Sequence, residues 1–95
     1  MPEKIDQFFR SDGSLIKIPA RTKKKIAVLK RIAGNLSADT RYREKSLNEI
    51  IATYHSDTAA IRRHMIEYGI LNRNSASVYW LTETFCKETL IKTIN

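Results

Sequence analysis

The sequence predicts an α+β domain with a winged-helix-like fold, in which a helix-turn-helix core is followed by a β-hairpin wing. Three observations predict it: an amphipathic helix over residues 56–68, a hairpin pattern directly after it over residues 70–81, and a second amphipathic helix directly before it over residues 44–54. In a winged helix the helix that corresponds to residues 56–68 enters a nucleic-acid groove and the hairpin flanks it. The order of elements therefore also predicts a nucleic-acid interface.

The helix predicted over residues 56–68 carries the clearest local signals. Ile61, Met65 and Tyr68 recur at the spacing of one helical face, which predicts that this face is buried. Ser56 is the predicted N-cap, because its hydroxyl can accept a hydrogen bond from a backbone N–H of the first turn. Gly69 can adopt the left-handed conformation that ends a helix after Tyr68. We expect this segment to be the recognition helix.

Two short runs rich in β-branched and aromatic residues follow, at positions 70–73 and 78–81. The polar tetrapeptide 74–77 separates them, so the pattern predicts a hairpin with a polar tip. Neighbouring residues of a strand point to opposite faces, and we expect either Tyr79 or Trp80 to pack in the core. The alternative is that one of these rings stacks on a nucleic-acid base.

The elements before this unit have weaker signals. Residues 1–19 are a predicted N-terminal extension, with a short helix over residues 2–9 and a short strand over residues 15–18. Apolar residues of helical period predict the first core helix over residues 22–35. Residues 41–43 are the expected strand between the first two core helices, and we expect this strand to pair with the hairpin.

The whole chain, residues 1–95, is expected to form one domain with its core in residues 22–81. Residues 82–95 predict a C-terminal helix with Thr82 as its cap and a broad apolar side. Such a side must be covered, either by the domain itself or by a second copy of the chain. A homodimer through this helix is therefore one of two expectations.

The net charge of +7 is unevenly distributed. Seven bases occur from Lys17 to Arg31, and no acid occurs between Asp12 and Asp39. Such a surface attracts polyanions such as a nucleic-acid backbone, and the alternative is a solvated face of a lysine-rich protein. There is no apolar run of signal-peptide or membrane-span length, and a single cysteine, Cys86, excludes an intramolecular disulfide. We expect a cytoplasmic protein without membrane contact.

Candidate nucleic-acid ligands surround the recognition helix, the start of the second helix and the hairpin tip. They are Arg41, Arg43, Lys45, Ser56, Arg62, Arg63, Arg73, Asn74 and Ser75. Cationic side chains bind phosphates, and arginine can also bind a guanine edge. The alternatives are structural. Arg63 can pair with Glu67 on its own helix. Arg62 can reach Glu44 or Glu49 on the neighbouring helix, and the tip can be an ordinary polar loop.

Motifs for catalysis or metal binding are absent from the sequence. It contains no nucleophile elbow, no phosphate-binding glycine loop and no HExxH. His55 and His64 are nine residues apart, a spacing that fits no common zinc site. We therefore expect neither an enzyme nor a protein that binds a metal or a cofactor.

Several short segments form a further pattern. They are FFRSDGSLIKIPARTKKKIAVLKRIA at residues 8–33, YREKSLN at 42–48, HSD at 55–57, IRR at 61–63, YGILNR at 68–73 and YW at 79–80. Together they cover most of the chain and resemble the bacterial family catalogued as domain of unknown function 2087. Members occur alone or joined to helix-turn-helix regulators, so the resemblance implies a role near transcription but no particular biochemical activity.

The chain departs from that family pattern at two places. The hairpin tip has residues 74–77 where a glycine is usual, which implies a longer or looser tip. Arg43 stands where a small hydroxyl residue often precedes Glu44, which removes a helix cap.

These features predict a DNA-binding transcriptional regulator, or an accessory domain of one, that contacts mainly the phosphate backbone. The alternative is a protein–protein interaction module on a winged-helix scaffold, in which the terminal helix or the hydrophobic N-terminal segment holds the partner. Bases that converge where the recognition helix and the hairpin tip emerge favour DNA. Dispersed bases or acidic cover favour a partner protein.

Overall fold

The computed structural model describes residues 4–87, which fold as an α+β domain. The elements follow the chain in the order α1 (Thr22–Ala33), β1 (Tyr42–Arg43), α2 (Glu44–Ala52), α3 (Thr58–Glu67), β2 (Leu71–Arg73) and β3 (Val78–Leu81). Residues 83–87 are helical, and the Phe85 N–H donates to the Thr82 hydroxyl at 3.2 Å, so Thr82 is the cap as predicted. The rest of the predicted C-terminal helix, and with it the homodimer, lies outside the described residues.

The three strands form one antiparallel sheet with β3 in the centre. Tyr42 of β1 and Arg73 of β2 both lie opposite Tyr79 of β3. The predicted hairpin is confirmed, and so is the pairing of the 41–43 segment with it, although β1 has only two residues. Because an isolated hairpin is marginally stable in water, the third strand and the helices packed on the sheet hold it in place.

One face of the sheet and the apolar faces of the helices enclose a continuous core. Its largest fully buried side chains are Val28, Leu29, Ile32, Leu47, Ile51, Ile61, Met65, Ile70, Leu71 and Tyr79. Burial of each aliphatic side chain in this set contributes about 1.5 to 3 kcal/mol to stability. The core therefore fixes α2 and α3 against the hairpin.

The turn between α2 and α3 differs from the prediction at the N-cap. Asp57 caps α3, because its Oδ1 accepts from the Ala60 N–H at 3.1 Å. The predicted cap, Ser56, is exposed and lies one residue earlier. The reason is the path of the turn: the Asp57 N–H donates to the His55 imidazole Nδ1 at 3.0 Å, which delays the start of the helix until Thr58. The prediction of Ser56 as the cap was wrong.

The end of α3 is as predicted. Gly69 has φ of +73°, in the left-handed region. Its N–H donates to the Ile66 carbonyl at 3.1 Å, and the Ile70 N–H donates to the Met65 carbonyl at 2.8 Å. These two bonds are the Schellman arrangement, which satisfies carbonyls at the end of the helix and turns the chain into β2.

We expect Gly69→Ala to lower the free energy of unfolding by about 1 kcal/mol, because alanine is strained at a positive φ. A Cβ at Gly69 would have no heavy atom within 4 Å, so the loss would come from the backbone and not from a clash. Gly34→Ala is the matched control, since Gly34 has φ of −61° and its new Cβ would lie at ordinary contact distance from the Arg31 carbonyl, 3.4 Å. Urea denaturation of both variants checks this. Equal losses would contradict it.

The N-terminal extension has less regular structure than predicted. Only Asp6–Phe8 forms a short 3-10 helix, and Pro2 lies outside the described residues. The strand predicted over residues 15–18 is reduced to a single antiparallel bridge between Phe9 and Leu15, with flanking bonds from the Arg10 N–H to the Ser14 carbonyl and from the Ile16 N–H to the Phe8 carbonyl, both at 2.7 Å. The Leu15 N–H instead donates to the Tyr54 carbonyl at 2.7 Å, which ties this segment to the end of α2.

A polar turn precedes Leu15. The Asp12 carboxylate accepts from the Ser14 hydroxyl at 2.7 Å and from the Ser14 N–H at 2.9 Å. These two bonds hold the pKa of Asp12 below its usual value, and the bond from the hydroxyl has the larger effect. The carboxylate therefore stabilises the turn and is exposed to solvent.

Candidate nucleic-acid interface

The start of α2 lies against the hairpin loop. The Glu44 N–H donates to the Ser77 carbonyl at 3.1 Å, which replaces the side-chain cap that Arg43 does not supply. Arg43 and Lys45 therefore lie beside the loop, and Arg73 is the last residue of β2 before it. All three side chains are exposed, and none makes a hydrogen bond or an ion pair in the part of the chain that the structure describes. We call Arg43, Lys45 and Arg73 the loop cluster.

Arg62 lies at the centre of a polar network that joins α2, α3 and β3. Its Nε donates to Asn48 Oδ1 at 2.7 Å. Its Nη1 donates to Glu44 Oε1 at 3.0 Å and to the Tyr79 hydroxyl at 2.9 Å. That hydroxyl donates in turn to Glu44 Oε1 at 2.7 Å. We call these four residues the Arg62 network; they show the structural alternative for Arg62, with Glu44 rather than Glu49 as its partner.

The network changes the electrostatics at the start of α2. Glu44 would repel phosphate if its carboxylate were free, but the Arg62 guanidinium neutralises it at 3.0 Å. The Arg62 side chain is only 16% exposed and the Glu44 side chain is 41% exposed. The three cations of the loop cluster therefore face solvent, while Glu44, the acid between Arg43 and Lys45 in the sequence, is already paired with Arg62.

Arg63 and Ser56 are placed differently from Arg62. Arg63 lies on the outward face of α3 and is exposed, as the helical period predicts. The predicted pair with Glu67 is not formed in the structure; Glu67 Oε2 lies instead 3.8 Å from His64 Nδ1. Ser56 is exposed in the turn before α3. Both side chains are accessible to a ligand.

The hairpin loop is held by one of its own predicted contact residues. Asn74 Oδ1 accepts from the Ala76 N–H at 2.9 Å and from the Val78 N–H at 3.1 Å. Ser77 has φ of +59°, the conformation that the usual glycine of the family pattern would adopt without strain. Asn74 therefore has a structural role in the loop, and Ser75 at the tip is exposed.

Tyr79 and Trp80 lie on opposite faces of the sheet. Tyr79 is fully buried, which confirms that one ring of the pair packs in the core. Trp80 is only partly buried, and the Arg41 guanidinium carbon lies 4.2 Å from the centroid of its ring. No local sequence pattern predicts this stacking, because it depends on the register of β1 against β3.

Two bases of the basic run in residues 17–31 contact the N-terminal segment. Lys24 lies over the Phe8 ring at 5.9 Å. Arg31 lies over the Phe9 ring at 4.9 Å and pairs with Asp6 at 3.0 Å. These two positions on α1 are therefore partnered within the chain.

The same N-terminal segment contacts α2 at its far end. Leu15 bonds to Tyr54, just past the last residue of α2, whereas the hairpin loop contacts Glu44 at its first residue. A helix of nine residues separates these ends by about 13 Å. The N-terminal segment that Lys24 and Arg31 contact therefore reaches the end of α2 opposite to the one that the hairpin loop contacts.

Other kinds of site find less support among residues 4–87. Ile16 is the exposed large hydrophobic residue there, while Phe8 and Phe9 of the N-terminal segment pack against the core. No group of three possible metal ligands occurs in that range. No helix in it has both the length and the apolar character needed to cross a membrane.

A family model described as "Uncharacterized protein conserved in bacteria (DUF2087)" matches residues 14–81, well over half of the chain. That range contains all of α1, α2, α3 and the sheet. No curated protein and no solved structure gives a significant match.

Proposed function

The chain belongs to DUF2087, a family of uncharacterized bacterial proteins, and we propose that it is a winged-helix DNA-binding domain that acts as a transcriptional regulator or as an accessory domain of one. In this proposal α2 and α3 are the helix-turn-helix, and the β2–β3 hairpin is the wing. The sheet order β1-β3-β2, with the first strand against the last, is the order expected for such a wing.

The observation that carries the proposal is the bond from the Glu44 N–H to the Ser77 carbonyl. It holds the start of α2 against the hairpin loop, so that the three exposed cations of the loop cluster lie around that loop, with Arg43 and Arg73 on opposite faces of the sheet. In the usual docking pose of a winged helix, these two elements flank the duplex backbone. Unpaired guanidinium and ammonium groups are suited to phosphate oxygens there.

The residues on the outward face of α3, the recognition helix, favour DNA binding mainly through the phosphate backbone. Its outward face presents Ala59, Arg63 and Glu67. Ala59 offers only a methyl group to a base edge, Glu67 repels phosphate, and Arg63 is the one residue of the three that can bind a phosphate or a guanine. The domain therefore binds duplex DNA with low sequence specificity by itself, and a second domain or copy would supply further selectivity.

We expect a labelled duplex of about 20 base pairs to bind with a strong salt dependence. About five phosphate contacts, from the loop cluster, Arg63 and Arg41, give a slope of log affinity against log salt near −4 to −5. Fluorescence anisotropy at several salt concentrations measures the slope. Amide shifts followed in the same titration should change saturably at the start of α2, in α3 and in the hairpin loop.

Replacing the loop cluster with glutamine (Arg43→Gln, Lys45→Gln and Arg73→Gln) should weaken binding on the order of 10²-fold at 0.1 M salt and reduce the slope by about 2.7. The matched control is Lys17→Gln, Arg21→Gln and Lys23→Gln, which removes the same charge from exposed residues at and before the start of α1. The control should lose less than about tenfold. Equal losses would show attraction by net charge alone, and no saturable binding by the wild-type protein would refute the proposal.

A further inference from the structure

The open face of the sheet, opposite the core, carries one aromatic side chain among cations. Arg43 pairs with Val78, and Asn72 pairs with Trp80, so these four residues share the face that does not contain Tyr79. Arg41 lies two residues before Arg43, with its guanidinium carbon 4.2 Å from the centroid of the Trp80 ring. The geometry is that of a cation–π stack.

The contact places the Arg41 guanidinium carbon 4.2 Å from the centroid of the Trp80 ring. Parallel stacking, a common arrangement of arginine on an aromatic face, leaves the N–H donors, which lie in the guanidinium plane, directed away from the ring. The Arg41 side chain is exposed and makes no hydrogen bond or ion pair within residues 4–87, nor any contact that would occupy those donors. Arg62 is the contrast, because its donors are used by Asn48, Glu44 and Tyr79.

We propose that Arg41, pre-oriented by Trp80, is a binding site for a phosphodiester of the nucleic-acid backbone. The site rests on the proposed function and extends its interface from the hairpin loop onto the open face of the sheet. A planar guanidinium can donate two parallel hydrogen bonds to one phosphate. A fork that is already held in place loses less rotamer entropy on binding than a free arginine does, so Trp80 is a positioning residue for Arg41.

Charge and shape favour a nucleic-acid backbone over a partner protein at this face. Arg41, directly before β1, and Arg43, within it, lie on the same face of the sheet, and residues two apart in an extended chain are about 7 Å apart. That distance is close to the spacing of successive phosphates along one nucleic-acid strand. The apolar residues on this face are Trp80 and Val78, both only partly buried. The apolar surface that they expose is too small for the core of a protein–protein interface.

Trp80 is the only tryptophan in the chain, so its fluorescence reports on this site without any substitution. Titration of the wild-type protein with unlabelled duplex should change the Trp80 emission, and the change should saturate at the same concentration as the anisotropy of a labelled duplex. Poly-glutamate of equal total charge is the comparison ligand. A Trp80 response to poly-glutamate but not to DNA would overturn the proposal in favour of an acidic partner protein.

A mutant cycle tests the positioning role. Arg41→Met should weaken duplex binding about tenfold at 0.1 M salt and lower the salt slope by about 0.9. Trp80→Leu should weaken binding about threefold with the slope nearly unchanged, and it should have no further effect in the Arg41→Met background. Trp80→Phe keeps an aromatic face and should retain most of the affinity. Circular dichroism of each variant checks that the fold is kept.

The outcomes separate this proposal from the proposed function. If the wild-type duplex titration saturates but the Trp80 emission does not change, or if the Arg41 and Trp80 losses multiply independently, the Arg41 site is wrong and DNA binding stands. If the Trp80→Leu variant does not fold, the emission titration of the wild-type protein still tests whether the Arg41 site contacts the duplex. If the wild-type protein does not bind duplex DNA, both proposals are wrong.

Discussion

Tyr79→Ala is expected to lower the free energy of unfolding by about 4 kcal/mol, a large part of the stability of a small domain. Tyr79 is fully buried in the central strand, opposite Tyr42 and Arg73. Alanine would leave a cavity where the ring was. It would also remove the hydroxyl that bonds to Arg62 and Glu44. Urea denaturation followed by circular dichroism measures the loss.

Tyr79→Phe separates the two contributions. It keeps the ring and removes the hydroxyl, and we expect a loss of about 2 kcal/mol because both partners of the hydroxyl are charged. Tyr68→Phe is the matched control: Tyr68 is partly buried, and its hydroxyl makes no hydrogen bond within residues 4–87. The control should change stability by less than about 0.5 kcal/mol. Similar losses in both phenylalanine variants would show that the Tyr79 hydroxyl contributes little.

Much of the fold could be predicted because its signals are local. Gly69 ends α3 with a positive φ, and the hairpin forms where the apolar runs flank the tetrapeptide 74–77. The N-cap was harder, since Ser56 and Asp57 both carry a suitable oxygen and only the path of the turn decides between them. The strand predicted over residues 15–18 finds only the short segment around Phe9 as a partner, and the Leu15 N–H bonds to the Tyr54 carbonyl, so the pairing does not extend beyond one bridge.

The candidate site was less predictable, because its contacts join residues that are distant in sequence. Arg62 bonds to residues 14, 17 and 18 positions away, so the sequence left its structural and binding roles open. The stack of Arg41 on Trp80 requires the register of β1 against β3, which no local pattern specifies. Arg43, Lys45 and Arg73, which the sequence offered as candidate phosphate ligands, are exposed, because charged residues are rarely buried without a partner.

Arg62→Met should lower the free energy of unfolding by about 3 kcal/mol, because three hydrogen bonds from a charged group are lost. Methionine has a high helix propensity and fills similar space, so the loss comes from the network and not from α3 itself. The Asn48 carbonyl and the Tyr79 hydroxyl would lose the hydrogen bond that they accept from Arg62, and the Glu44 carboxylate would keep only the one from the Tyr79 hydroxyl. Thermal and urea denaturation give the size of the loss.

Glu44→Gln completes a double-mutant cycle with Arg62→Met. The single Glu44 variant should lose about 1 kcal/mol, because the amide oxygen can still accept from Arg62. The coupling energy between the two positions should be about 1 to 2 kcal/mol. Strictly additive losses would show that the 3.0 Å ion pair contributes nothing of its own.

The neighbouring arginine provides the control that distinguishes a structural role from a binding role. Arg63→Met removes the same charge from the exposed face of α3, where the side chain has no partner in the described residues. It should change stability by less than about 0.5 kcal/mol but weaken duplex binding about tenfold at 0.1 M salt. Arg62→Met should do the reverse under conditions where it remains folded, with a large loss of stability and a duplex affinity per folded molecule close to that of the wild type. If both variants lost affinity equally while folded, the Arg62 guanidinium would have to leave its network and bind DNA, and the division of roles between these adjacent arginines would be wrong.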